Sequence, residues 1–140
     1  MTDADRRQRE IADEFAAFDD WMLRFQQLIE YGEAMPPLPA DLRTDDRLVR
    51  GCQSRVWLDA GDENGTFRVR ADSESQIVRG LASLLVRVFD ELPSEDAARV
   101  EVWFPREIGL ADHLSPNRAN GLDAMRRAIQ ARAVEATPSG

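Results

Sequence analysis

The sequence contains no lysine: all 18 of its basic residues are arginine. It has one cysteine, Cys52, one histidine, His113, and one tyrosine among 140 residues. Each shortage excludes chemistry. Without lysine the chain can form no Schiff base, so it cannot hold pyridoxal phosphate covalently. The Walker-type phosphate loop goes for the same reason. One Cys and one His cannot build the usual cysteine-rich zinc site, and four thiolates for an iron–sulfur cluster cannot come from a single chain. A carboxylate-based metal or acid/base site stays open on these counts. A lone cysteine allows no internal disulfide and fits a reducing compartment. The charge balance, 26 acidic against 18 basic residues for a net −8, argues against nucleic-acid binding, which needs surplus cations. The apolar runs fall well short of the roughly 20 residues of a membrane span, and the charged stretch from Met1 to Glu14 has no signal-peptide core. These features predict a soluble, cytoplasmic protein that does not bind membranes.

What is present suffices for one domain, expected over residues 1–135, with a flexible C-terminal tail at 136–140. Ile11, Phe15 and Phe18 recur at helical spacing. Asp19 or Asp20 can cap a second helix whose face carries Trp21, Phe25, Leu28 and Ile29, with Gly32 placed as for a helix C-terminus. This aromatic stripe reads as core packing. Met35-Pro36-Pro37-Leu38-Pro39 then stops the helix. Gln53–Ala60 and Thr66–Ala71 alternate apolar and polar residues around Gly61-Asp62-Glu63-Asn64-Gly65, which predicts a β-hairpin. Ser73-Glu74-Ser75-Gln76 fits a capping box opening a helix with the stripe Ile77, Leu81, Leu84, Leu85 and Val88. Val100–Phe104 is ambiguous between a third strand and helix. Ser115 caps a last helix with Pro116 in its first turn and Leu122, Met125 and Ile129 on its apolar face. The predicted class is α+β, helices packed on a small, about three-stranded antiparallel sheet.

Cys52 is the one strongly nucleophilic side chain. It lies between the Pro-rich connector and the first strand, next to Gly51, on a loop of the kind that often carries function. Arg47, Arg50 and Arg55 are near enough in sequence to favour its thiolate. Read from the residues alone, Cys52 is either this reactive thiol or a small buried hydrophobe. A Cys52–His113 catalytic pair lacks the rest of a thiol hydrolase's equipment, and His113, just before a helix cap, reads as structural. The carboxylate pairs Asp19/Asp20, Asp45/Asp46, Asp62/Glu63 and Glu95/Asp96 sit at predicted caps and turns and single out no acid/base site.

Arg50-Gly51-Cys52-Gln53-Ser54-Arg55-Val56-Trp57-Leu58 resembles the signature of the SufE (SufE/CsdE-like) family of sulfur acceptors, whose core reads Gly-Cys-Gln-Ser-x-Val-Trp. Three further blocks agree in order: Ala71 to Gly80, with its Asp72-Ser73-Glu74; Gly109-Leu110 and His113 to Arg118; and Asn120-Gly121-Leu122-Asp123-Ala124-Met125. The resemblance spans about Phe15 to Ala131. Val100 to Glu107 departs from the family's short acidic-aromatic stretch, and the Asp59 to Arg70 hairpin has its own length.

The resemblance implies a SufE/IscU-like fold and a definite job. Such proteins accept sulfur from a pyridoxal-phosphate cysteine desulfurase (SufS/CsdA-like), stimulate it, and pass the sulfur to an iron–sulfur scaffold (SufB-type). Cys52 takes the position of the cysteine that carries the persulfide. Gly51 would free the loop, Gln53 and Ser54 would surround the persulfide, and Glu74 and Arg118 would support docking. The chain would then be an accessory carrier needing no cofactor of its own, the pyridoxal phosphate residing in the partner. A homodimer is compatible with the resemblance. The alternative is a non-covalent regulatory module for the desulfurase or scaffold, with Cys52 inert.

Overall fold

The structure, a computed structural model, describes residues 1–137. Its first helix, α1 (Asp3–Ala16), is capped by Thr2, whose hydroxyl accepts from the Asp5 N–H. Ile11 and Phe15 are fully buried on its inner face. Asp20, of the two aspartates available, caps α2 (Trp21–Ala34) by accepting from the Met22 N–H. Gly32 does not end this helix. It is buried within the last turn, where α2 meets α3 (Gln76–Phe89) so closely that a Cβ on Gly32 would lie 2.8 Å from the Gly80 nitrogen. A Cβ on Gly80 would lie 2.2 Å from the Leu28 carbonyl oxygen. The two glycines let the helix backbones touch, and the helix stops at Met35 because Pro36 follows.

The connector runs through two short 3-10 turns, Ala40–Leu42 and Asp45–Arg47, into the hairpin β1 (Val56–Glu63) and β2 (Thr66–Ser73). The strands are antiparallel with Val56 opposite Ser73 and Glu63 opposite Thr66. Asp62 and Glu63 therefore belong to the strand, and only Asn64 and Gly65 turn. Both have positive φ, 54° and 90°, as a two-residue turn matching the strand twist requires. The inner face buries Val56, Leu58, Phe67, Val69 and Ala71 against α3 and α7 (Pro116–Ala136). The other face is covered at one end. Trp57 is buried there, with Arg43 and Arg55 over its ring, and beside it Asp72 is 2% exposed. Asp72 accepts from the Leu38 N–H at 2.9 Å and from Arg43 at 2.7 Å, and pairs with Arg79 at 3.2 Å. One buried carboxylate thus holds the connector to the hairpin and α3.

The expected helix after β2 forms, but Ser75, not Ser73, caps it by accepting from the Val78 N–H. The Ser73 hydroxyl instead donates to the Arg55 carbonyl and accepts from the Ser75 N–H.

The sheet has two strands among the described residues, not about three. Val100–Trp103 is irregular, and α5 (Phe104–Glu107) follows the short helix α4 (Ser94–Arg99). Side chains take the place of a neighbouring strand. Buried Gln8 donates to the Glu101 carbonyl and accepts from the Trp103 and Phe104 N–H groups, while Gln130 donates to the Val100 carbonyl. The Val100 and Glu101 carbonyls and the Trp103 and Phe104 N–H groups thus find partners without a ladder. The short α6 (Leu110–His113) leads to Ser115, which caps α7 as expected by accepting from the Arg118 N–H. Helix α7 continues through Ala136, one residue into the stretch expected as tail; residues 138–140 of that stretch lie outside the described residues. The class is α+β. No helix among the described residues is long and apolar enough to cross a membrane.

Candidate functional site

Cys52 rides on a loop closed at its base. The Val49 N–H donates to the Val56 carbonyl at 2.9 Å, and an isolated bridge pairs Leu48 with Trp57. On the far arm, the Arg55 carbonyl accepts from the Ser73 hydroxyl at 2.8 Å, and the Arg55 guanidinium pairs with Glu74 at 2.9 Å. Between these anchors the chain turns at Gly51, whose φ of 95° lies in the left-handed region that side chains disfavour. A Cβ on Gly51 would also press on the Ala124 methyl at 3.3 Å. The residue before the cysteine has to be glycine for the loop to lie this close to α7.

The loop seats the sulfur against that helix. Cys52 is half-buried, and its thiol donates to the Gly121 carbonyl oxygen at 3.6 Å. Beside it opens a cavity of about 360 Å³. Val78, Leu122 and Met125 are its apolar lining, and Gln53, Ser54, Ser115, Asn117, Arg118 and Gly121 complete it. Arg118, Gly121, Leu122 and Met125 fall three or four residues apart, so a single face of α7 makes one wall.

Burial pushes the Cys52 thiol above its ordinary value of 9.0, and no neighbouring cation offsets it. The expectation that nearby arginines favour the thiolate is not met in this conformation. Arg47 pairs with Asp59 at 3.2 Å, and Arg55 is engaged by Glu74 and stacked near Trp57. Burial in this seat therefore disfavours the thiolate, the nucleophilic form.

Of the residues singled out in the sequence, Gly51, Gln53, Ser54 and Arg118 come together around Cys52. Glu74 does not line the cavity and reaches the loop only through Arg55. Arg118 is exposed and has no ion-pair partner among the described residues. His113 lies elsewhere: its ring stacks on Trp21 with centroids 3.8 Å apart, and its Nδ1 is 3.1 Å from the Gly109 carbonyl oxygen. Asp20 caps α2, Asp62 and Glu63 end strand β1, and no group of acids, His or Cys among the described residues is arranged to hold a metal. Sequence reasoning gave Ser115, Leu122 and Met125 purely structural parts and assigned none to Val78 or Asn117. The spacing of 118, 121, 122 and 125 was the available signal, but without the position of Cys52 it reads as one more packed helix face.

Comparison with known proteins agrees across nearly the whole chain. A family model described as "SufE: Fe-S metabolism associated domain" matches residues 9–133. An uncharacterised SufE-like protein of Rhizobium meliloti is 36% identical over 137 residues, covering 93% of this chain and 96% of its own. A second, from Rhizobium etli, is 36% identical over 126 residues, covering 86% and 85%. The solution structure of a hypothetical protein from Thermus thermophilus superposes with a TM-score of 0.77 at 26% identity, covering 93% of this chain and 95% of that one. The chain belongs to the SufE family, whose domain is associated with iron–sulfur metabolism.

Proposed function

We propose that this protein is a sulfur acceptor and carrier that serves a pyridoxal-phosphate cysteine desulfurase of the SufS/CsdA kind and passes sulfur toward a SufB-type iron–sulfur scaffold. The observation that carries the reading is the setting of Cys52. The chain's single thiol sits on a glycine-turned loop at the wall of a part-apolar cavity large enough for more than a thiol. In the transfer, the Cys52 sulfur attacks the outer sulfur of the donor's cysteine persulfide. A new S–S bond forms on Cys52, the donor's S–S bond breaks, and the departing donor thiolate gains the proton that Cys52 gives up. Nothing is oxidised or reduced overall. The carbon–sulfur bond of the substrate cysteine is broken earlier, on the donor's cofactor, so the carrier requires neither that cofactor nor a lysine.

The residues divide the work. Gly51 is the pivot on which Cys52 leaves the Gly121 carbonyl and regains a solvated, ionisable state. The Val49–Val56 and Ser73–Arg55 bonds hold both arms so that only the tip moves. Arg118, exposed at the mouth, supplies a cation for a donor surface, and Glu74 acts on the loop through Arg55. After transfer, Val78, Leu122 and Met125 keep water and stray thiols from the outer sulfur, while Gln53 and Ser54 offer hydrogen bonds at its edge. A free thiol with this task suits the cytoplasm.

The raised thiol favours one second reading, a regulatory module that stimulates the desulfurase by docking while Cys52 stays inert. Desulfurase turnover separates the two. On the carrier reading, the wild-type chain stimulates alanine release from cysteine and Cys52→Ser does not. Undiminished stimulation by Cys52→Ser supports the regulatory module instead.

A further inference from the structure

Three glycines lie in helix interiors, where glycine is disfavoured relative to alanine. Gly32 and Gly80 have a reason in the resting structure, since a Cβ on either would strike the backbone of the facing helix. Gly121 has none. Its φ is not in the left-handed region, and the nearest atom to a Cβ there would be Cys52 Sγ at 3.7 Å, an ordinary contact. The resting thiol would accept an alanine at position 121. Helix α7 nevertheless has a buried glycine where the Cys52 sulfur meets it.

We infer that Gly121 reserves the space for the second sulfur, and so determines whether the Cys52 persulfide is held inside the cavity. This rests on the carrier reading above and deepens it. An S–S bond extends about 2.05 Å from Sγ. A methyl group 3.7 Å from Sγ would therefore bar the outer sulfur from a cone of about 65° half-angle around the line toward position 121. Gly121 and Cys52 line the same cavity, so the directions that cone removes are those toward the cavity's α7 wall. Gly121 is a positioning residue: it touches the sulfur, donates and accepts no proton in the transfer, and acts by leaving room.

The test compares wild type with Gly121→Ala and Gly121→Ser, each loaded with one sulfur from inorganic polysulfide, so that loading does not depend on any desulfurase. Loss of that sulfur to dithiothreitol is then followed by intact mass and by sulfide release. One dithiol thiolate takes the outer sulfur, freeing the Cys52 thiolate. The second dithiol sulfur closes the ring, so the dithiol is oxidised to its cyclic disulfide and the outer sulfur leaves as hydrogen sulfide. We expect loss to be about fivefold faster in Gly121→Ala, and faster again in Gly121→Ser, because access governs such exchange. The unloaded thiol is expected to react with an aromatic disulfide at the wild-type rate, and the thermal midpoint to rise because alanine is the better helix former. A merely structural disturbance would accelerate both reactions together. Equal acceleration of both, or persulfide loss at the wild-type rate in both variants, overturns the inference. Failure of the carrier reading is a different result, in which the wild-type chain takes no sulfur from a desulfurase however well it retains sulfur from polysulfide.

Discussion

Two cavities among the described residues differ in what their walls leave undone. The larger, about 440 Å³, lies along the hairpin and is lined by Asp59, Asp62, Glu63, Arg68, Arg70 and Asp90, among others. Its charges answer one another: Arg70 pairs with Asp59, Arg68 with Glu63 and Glu91, and Asp62 accepts from Ser94 and the Gly65 N–H. Asp90 accepts from the Val69 N–H. The smaller cavity holds a half-buried thiol, an arginine without an ion partner among the described residues, and two polar side chains, of Gln53 and Ser54, that make no hydrogen bond among them. Volume does not distinguish a site here; unspent chemistry does. The hairpin cavity lies along a salt-bridged surface, whereas the Cys52 cavity lies beside a loop that turns at a glycine of positive φ.

That contrast can be pressed experimentally. The largest expected effect is at Gly51. Gly51→Ala places a side chain at positive φ against Ala124, which costs about 1–2 kcal/mol and lifts the sulfur from its seat. Denaturant unfolding should show that loss, and the Cys52 thiol should react faster with a small disulfide. Next is Arg118→Ala, expected to slow sulfur acceptance from a desulfurase about threefold, as for an exposed charge at an interface rim. Acceptance from polysulfide, which needs no docking, should be unchanged, and added salt should reproduce the effect in wild type. A third expectation concerns pH. Because burial raises the Cys52 thiol, the folded chain holds that proton more tightly than the unfolded chain. Its contribution to stability is complete below the ordinary thiol value and is lost as pH rises through the folded one. Cys52→Ser should therefore flatten the alkaline fall in the unfolding midpoint, while alkylation of wild type keeps rising beyond pH 9.0. The smallest effect is at the hairpin. Arg68→Gln, which breaks two exposed pairs, should leave both sulfur acceptance and the unfolding midpoint unmoved; a slowed transfer would make the hairpin cavity part of the function.

Legibility in the sequence followed the range of the interactions. The helix caps at Asp20 and Ser115 and the hairpin are local matters of side-chain reach and backbone angle, and they were readable. Val100 to Phe104 stayed ambiguous between a third strand and helix because its backbone partners are Gln8 and Gln130, the first more than 90 residues away. Gly32 looked like a helix end because nothing local announces that another helix lies against it. At the site, Cys52 with Gly51, Gln53 and Ser54 stood in one contiguous block, and Arg118 came with a recognisable motif. The apolar wall did not, since Val78, Leu122 and Met125 are ordinary core residues until the loop is folded over them. The arginines flanking Cys52 misled in the same way: closeness in sequence said nothing of Asp59 and Glu74, which claim two of them.

The central claim is that Cys52 itself carries the sulfur. Incubating the chain with a pyridoxal-phosphate cysteine desulfurase and cysteine, then measuring its intact mass, tests this directly. The account predicts that wild type gains the mass of one sulfur atom, that dithiothreitol removes it, and that Cys52→Ser gains nothing. A wild-type chain that gains no sulfur, or a Cys52→Ser chain that gains as much, would contradict it.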